Sequence, residues 1–358
     1  QAAWDKTDKK TDAARKFLSA KALPTEVLND LVKHSNKEIA VKALSHASIN
    51  EDVLNTAMKR RVPEVADAAR KHPLVADREI KNGLINGKMR GSSIYSDKDV
   101  NEKIKSMPPA DQKAVTQAVS DRFKGKKTPE ELKAMKEAPS DFWQTKASLA
   151  MSDHLDPETK KQHALDICDD IKSQIPHNSE DAGEILTRKT KSGKDFIRLF
   201  DNGNKEAQST VLEHPGLLTA MDYQRDSHSD AFLGKAHNKL EELKNQNFTM
   251  MDSRGNPSPI KDSYKYNNAI SSLAYNQNLP DENFERIITD PDFIAKTGSR
   301  SDVLDCRLTG QFATEDDARN LANKVWAVGT PSAHRTVLNS NNIPKDAWRS
   351  KWESLNPE

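Results

Sequence analysis

Leu23-Pro24-Thr25-Glu26-Val27-Leu28 returns 26 residues later as Ile49-Asn50-Glu51-Asp52-Val53-Leu54. In the same register Glu38-Ile39-Ala40 returns as Glu64-Val65-Ala66, and His46 as His72. A fixed period of this size marks an array of small helical units, each able to bury its apolar side only against its neighbours. The echo extends further along the chain. Asn204-Lys205-Glu206-Ala207 through His214-Pro215-Gly216-Leu217 aligns without a gap on residues 36–49, with Phe196, Leu199 and Phe200 in the slots of Leu28, Leu31 and Val32. Leu279-Pro280-Asp281-Glu282-Asn283-Phe284 repeats the opening, followed by Ile287 and Ile288. Ala333, Val337, Leu338, Ile343 and Trp348 take the places of Ile39, Ala43, Leu44, Ile49 and Leu54.

The unit has a physical logic. Pro24, Pro280 and Pro344 are expected in a first helical turn, where a missing N–H costs nothing. Val27, Leu28, Leu31 and Val32 fall on one side of a 3.6-residue helix. Ser35 to Glu38 is read as a capping box opening a second helix that buries Ile39, Ala40, Ala43 and Leu44. Alanines at 40, 43, 66, 68 and 69 let neighbouring helices approach closely. His46, His72 and His214 share the slot before the next unit, where a histidine satisfies the last carbonyls of a helix.

These motifs, together with Pro63-Glu64-Val65 and the His72-Pro73-x-Val75 ending, resemble leucine-rich-repeat-variant and HEAT-like helical repeats of bacterial and tailed-phage proteins. The resemblance covers residues 17–87 well, about 190–220 and 266–356 fairly, and the middle poorly. It implies an all-α fold, a right-handed α-α superhelix, that binds another macromolecule along one surface. Some members of the variant-repeat family carry a cysteine-rich iron–sulfur module. Nothing matches it here, because Cys168 and Cys306 are the only cysteines.

The expected organisation is an N-terminal segment (1–16), regular repeats (17–87), irregular repeats (88–185), further repeats (186–245), an inserted loop (246–265) and C-terminal repeats (266–356). Residues 86–96 read as a loop, with helices near 97–106, 109–123 and 128–137. Gly255, Pro257 and Pro259 mark the inserted loop, which is either a partner contact or a tolerated surface insertion. Apolar content of 35% with 30% charged residues suits an elongated body with much wet surface, and almost no sheet is expected.

The two cysteines, far apart in sequence, support neither a disulfide framework nor a structural zinc site. No run reaches the 18 apolar residues or so that span a membrane. Gln1 and Glu358 fit a trimmed product, by leader removal, tag cleavage or maturation after glutamate, so cytoplasmic, virion-associated and secreted settings all stay open. Phosphate-loop, zinc-protease, nucleophile-elbow and calcium-loop motifs are missing. Ser192-Gly193-Lys194 is a fragment of a phosphate-loop ending without its glycine partner. Asp169-Asp170 beside Cys168 read as an exposed acidic edge next to a buried thiol. No catalytic residue, metal or cofactor is assigned.

Charge is uneven. Residues 1–150 hold 29 Lys and Arg against 21 Asp and Glu; residues 151–358 hold 26 against 33. That asymmetry suits self-association through a basic front half and an acidic back half, or ordinary solvated faces. The leading expectation is a non-catalytic scaffold for protein–protein interaction, such as a structural component of a phage virion. The competing one is nucleic-acid binding on a superhelix like that of helical-repeat DNA glycosylases, whose catalytic constellation has no counterpart here. Its candidates are Lys59, Arg60, Arg61, Arg122, Lys124, Lys126, Lys127, Arg188, Lys189, Lys191 and Lys194.

Overall fold

A computed structural model describes residues 2–5, 11–221, 229–295, 300–309 and 314–355. Gln1 and Glu358 lie outside the described residues, as does part of the 1–16 segment. The chain is about 70% helical with almost no strand, so it is all-α. It divides into two compact units, one of residues up to 145 with 152–156, the other of 146–151 with 157–358.

In the first unit the helices are α1 (Ala2–Asp5), α2 (Thr11–Leu18), α3 (Thr25–Val32), α4 (Lys37–Leu44), α5 (Glu51–Met58), α6 (Pro63–Arg70) and α7 (Pro73–Ile85). They continue as α8 (Ser93–Ser96), α9 (Lys98–Ser106), α10 (Pro109–Arg122), α11 (Pro129–Ala134) and α12 (Pro139–Ala150), whose residues from Lys146 onward belong to the second unit. The periodic residues make its core. Val27, Leu28, Leu31 and Val32 on α3, Val53, Leu54 and Ala57 on α5, and Val65 and Ala69 on α6 are all fully buried. Side chains this small let helices of only eight residues sit close enough to be held by packing. Ala68 is half-buried.

In the second unit α13 (Pro157–Gln174), α14 (Ala182–Glu184), a π turn (Ile185–Lys189), α15 (Gly193–Asp201), α16 (Lys205–Glu213), α17 (Pro215–Ala220) and α18 (Asp230–Asn245) come first. A hairpin of β1 (Thr249–Met251) and β2 (Pro257–Pro259) and a short 3-10 turn (Ile260–Asp262) follow. Then come α19 (Tyr264–Tyr275), α20 (Asp281–Ile288), α21 (Pro291–Ala295), α22 (Ser301–Leu308), α23 (Glu315–Trp326), α24 (Pro331–Leu338) and α25 (Asp346–Leu355). Phe196, Leu199, Phe200, Phe284, Ile287 and Ile288 are buried, as their alignment on α3 requires. Trp348, aligned on Leu54, is only half-buried.

Several local expectations need correction. Pro24 and Pro280 are N-caps, with ψ of 150° and 141°, one residue before the first turn. The extended cap conformation suits a fixed proline φ equally well. Helix α4 is capped by Asn36, not Ser35: the Asn36 carbonyl accepts the N–H of Glu38 at 2.9 Å. Asn204 does the same for Glu206 at 3.1 Å. Reciprocal capping boxes occur instead at Thr128–Glu131 and Thr314–Asp317. The 86–96 segment contains α8, and the expected inserted loop at 246–265 holds the hairpin, the 3-10 turn and the start of α19.

The hairpin explains its own prolines. Flanking bonds run from Asp252 N to Asn256 O and from Ile260 N to Phe248 O. With Met250 opposite Ser258, the bonded positions of β2 are its even-numbered residues. Pro257 and Pro259 fall between them, where no N–H is needed for the ladder and the free edge offers few donors to another strand.

Candidate functional site

The sequence candidates separate into structural and free groups. Arg60 turns back from the end of α5, and its Nη1 donates to Val32 O at 2.7 Å and His34 O at 3.2 Å. Arg122 Nη2 donates to Leu84 O at 2.7 Å, and Nη1 reaches Met89 O at 3.4 Å. Both guanidinium groups cap the C-terminal carbonyls of a neighbouring parallel helix, which carry the negative end of its dipole. In the second unit Arg307 reaches the loop between α19 and α20 instead, donating to Gln277 O at 2.7 Å and Leu279 O at 2.6 Å. Lys124 pairs with Asp121 at 2.7 Å, and Arg188 with Glu184 at 3.3 Å.

Lys59, Arg61 and Lys126 are exposed and Lys127 is half-exposed, all on the first unit. Lys189, Lys191 and Lys194 are exposed on the second, around the π turn and the start of α15.

Two of the three repeat-slot histidines tie their turn to a segment earlier in the chain. His46 accepts the N–H of Ser48 through Nδ1 at 3.0 Å, so its Nε2 carries the proton and donates to Ala20 O at 2.9 Å. His214 Nε2 lies 3.2 Å from Ile175 O. His72 is the N-cap of α7, accepting the N–H of Leu74 at 3.2 Å. The carbonyls met by His46 and His214 lie just beyond the ends of α2 and α13, not in the helices that precede these histidines.

The second unit buries several ionisable groups. Lys146 is fully buried and bonded to the Asp166 carboxylate, which also accepts Gln162 Nε2 at 3.1 Å. Asp170 is buried rather than lying on an exposed edge, and accepts Ser192 Oγ at 2.5 Å; Asp169 is exposed. Burial pushes the Cys168 thiol up to about 11, which leaves it protonated. His237 is pushed down to about 4, by burial first and then by Arg286, and its Nδ1 accepts Asn283 Nδ2 at 2.9 Å. A small open depression is lined by residues including Lys244, Lys261, Tyr266 and Asp290. Lys244 pairs there with Asp290 at 2.6 Å and Asp292 at 3.2 Å, so its charges largely cancel. Among the described residues no three His, Cys, Asp or Glu side chains converge as a metal site.

Asp195, in the first turn of α15, is buried, and that burial pushes its carboxyl from 3.8 up to about 6. The unfolded chain therefore ionises first as pH rises, so stability is lost between about pH 4 and pH 6. His237 acts in the opposite sense, costing stability as pH falls from 6.5 towards 4. Asp195→Asn should stabilise the second unit at pH 7 by about 1–2 kcal/mol after discounting for partial solvation, and change little at pH 4. Urea midpoints at the two pH values measure this; equal shifts at both would refute the burial account.

No protein-family model, curated protein or solved structure matches this chain. No helix among the described residues is long and apolar enough to cross a membrane.

Proposed function

We propose that the chain is a non-catalytic helical-repeat scaffold, a right-handed superhelix of the HEAT-like kind that holds a protein partner along its surface. The observation that supports this reading is the recurrence of polar ties between residues about one repeat apart. In the first unit these join Trp4 to Asp30, Leu23 to Ser48, Thr25 to Asn50 and Ala20 to His46, at separations of 25 or 26 residues. In the second they join Tyr275 to Asp302, Asp281 to Arg307 and Arg319 to Asp346, at 26 or 27. Each tie spends a polar group on holding one helix pair to the next. Such an array offers its partners an extended surface rather than a cleft.

An exposed side chain such as Tyr264 is of the type that anchors a protein interface. A structural component of a larger assembly, such as a phage particle, is a setting this reading fits. The test is recovery of the full chain from its native host at moderate salt after nuclease treatment. A protein partner in fixed stoichiometry is expected. A chain that elutes alone at every salt concentration argues against the scaffold.

A further inference from the structure

The first unit carries a group of unpaired cations that the repeat itself does not need. Helices α3 and α5 run in the same direction, and so do α7 and α10. Asn50 reaches Thr25 at the N-terminal side of α3 and α5, and Arg60 reaches Val32 at the other. Arg78 on α7 donates to Asn55 on α5 at 2.9 Å, and Lys81 on α7 pairs with Asp111 on α10 at 2.6 Å. Arg122 then closes the C-terminal end of α10 on that of α7. The turns that follow α3 and α5 therefore lie side by side, as do those that follow α7 and α10; with Arg78 joining α7 to α5, these four turns are taken together as one edge.

Lys33 stands on the first turn, Lys59 and Arg61 on the second, Lys88 on the third, and Lys126 and Lys127 on the fourth. Five are exposed, Lys127 is half-exposed, and none has an ion-pair partner among the described residues. Nearby acids are mostly engaged: Glu64 pairs with Lys37, Asp121 with Lys124, and Glu131 caps α11 through Thr128. Glu38 and Glu130 remain against six cations. On the first and third turns the charges are not needed to cap helices, because Arg60 and Arg122 already take those carbonyls. Nor does the repeat demand them. The aligned turns of the second unit, 201–204 and 289–292, read Asp-Asn-Gly-Asn and Thr-Asp-Pro-Asp, without a single Lys or Arg.

We propose that this edge binds the phosphate backbone of nucleic acid, by charge and without reading sequence. A group of exposed point charges without ion-pair partners suits a rod of phosphates, which is bound by charge. None of the large exposed apolar side chains (Leu74, Met251, Tyr264, Trp352) lies on these turns to stack bases or to seat the side chains of a peptide. The inference is independent of the scaffold reading, since it concerns one edge of the first unit and a different class of ligand.

The experiment is fluorescence anisotropy of a mixed-sequence DNA duplex of about 25 base pairs with the full chain, titrated at several salt concentrations. Six phosphate contacts predict a fall in affinity of about 10³-fold between 50 and 200 mM salt. The triple variant Lys59→Gln, Arg61→Gln, Lys88→Gln should lower the slope of log K against log salt by about 2.7. The control triple Lys189→Gln, Lys191→Gln, Lys194→Gln should leave it unchanged. All six positions are exposed, and equal melting curves of the variants check that folding is intact. Absence of binding at low salt, an equal loss in the control, or a polyglutamate chain competing as well as DNA at equal charge would each overturn the proposal.

Discussion

Gly193→Ala is expected to cost more than about 4 kcal/mol and to prevent cooperative folding of the second unit. A Cβ built at this position would lie 1.7 Å from Leu186 O and 2.5 Å from Thr190 Oγ1. The first obstacle is backbone, held in the π turn that ends at Lys189, and its oxygen already accepts Thr190 Oγ1 at 2.6 Å. Neither atom can swing aside as the tip of a flexible side chain would. Relief would require moving the start of α15, which carries fully buried Phe196, Leu199 and Phe200 into the core. Gly255→Ala is the proper comparison. Its φ is +79° with nothing within 4 Å of a built Cβ, so the cost there is confined to left-handed backbone strain, about 1–2 kcal/mol. Urea denaturation of the two variants should separate them clearly. Similar midpoints would mean that the close approach at residue 193 relaxes cheaply.

The same residue shows where a sequence stops being readable. Ser192-Gly193-Lys194 resembled a fragment of a phosphate-binding loop, yet its glycine is there for a carbonyl 7 positions earlier. What was legible was local and periodic. Residues 193–200, 205–212, 281–288 and 331–338, aligned on α3 and α4, are all helical, because apolar residues at helical spacing leave little choice of face. The prolines of the 246–265 segment hid a hairpin, since they occupy the strand positions that need no donor. Helix α13 buries His163, Asp166 and Asp170 as well as Ile167 and Ile171, so its polar residues blur the apolar stripe.

Charge was visible but not its use. Arg60 and Arg122 look like their neighbours Arg61 and Lys124 in any count of basic residues, yet their guanidinium groups close helix ends. Lys33 and Lys88 do not stand out in the sequence, because each is the single cation of its turn, apart from Arg90, which lies 3.8 Å from Asp141. The 26-residue echo held the missing signal for one of them: Lys33 stands in the slot of Lys59.

Truncating Lys146 should be nearly as damaging as filling Gly193. Its ammonium is fully buried on the last turns of α12, which belong to the second unit, and Asp166 on α13 is 8% exposed, so the pair ties the two segments within that unit without help from bulk water. Lys146→Ala removes the partner but leaves the carboxylate desolvated, with Gln162 a weaker substitute, and a loss of about 3–5 kcal/mol is expected. The pair itself need not be worth that much. Taking both charges out of water is costly, and the attraction between them repays that cost only in part. Lys146→Met combined with Asp166→Leu keeps the volume and removes both penalties, so the double variant should be at least as stable as the parent chain. A double-mutant cycle in urea measures the difference. Single variants within about 1 kcal/mol of the parent would show that water reaches the pair on opening. A double variant as unstable as either single one would show that the charges fix how α12 meets α13, a specificity that apolar packing does not replace.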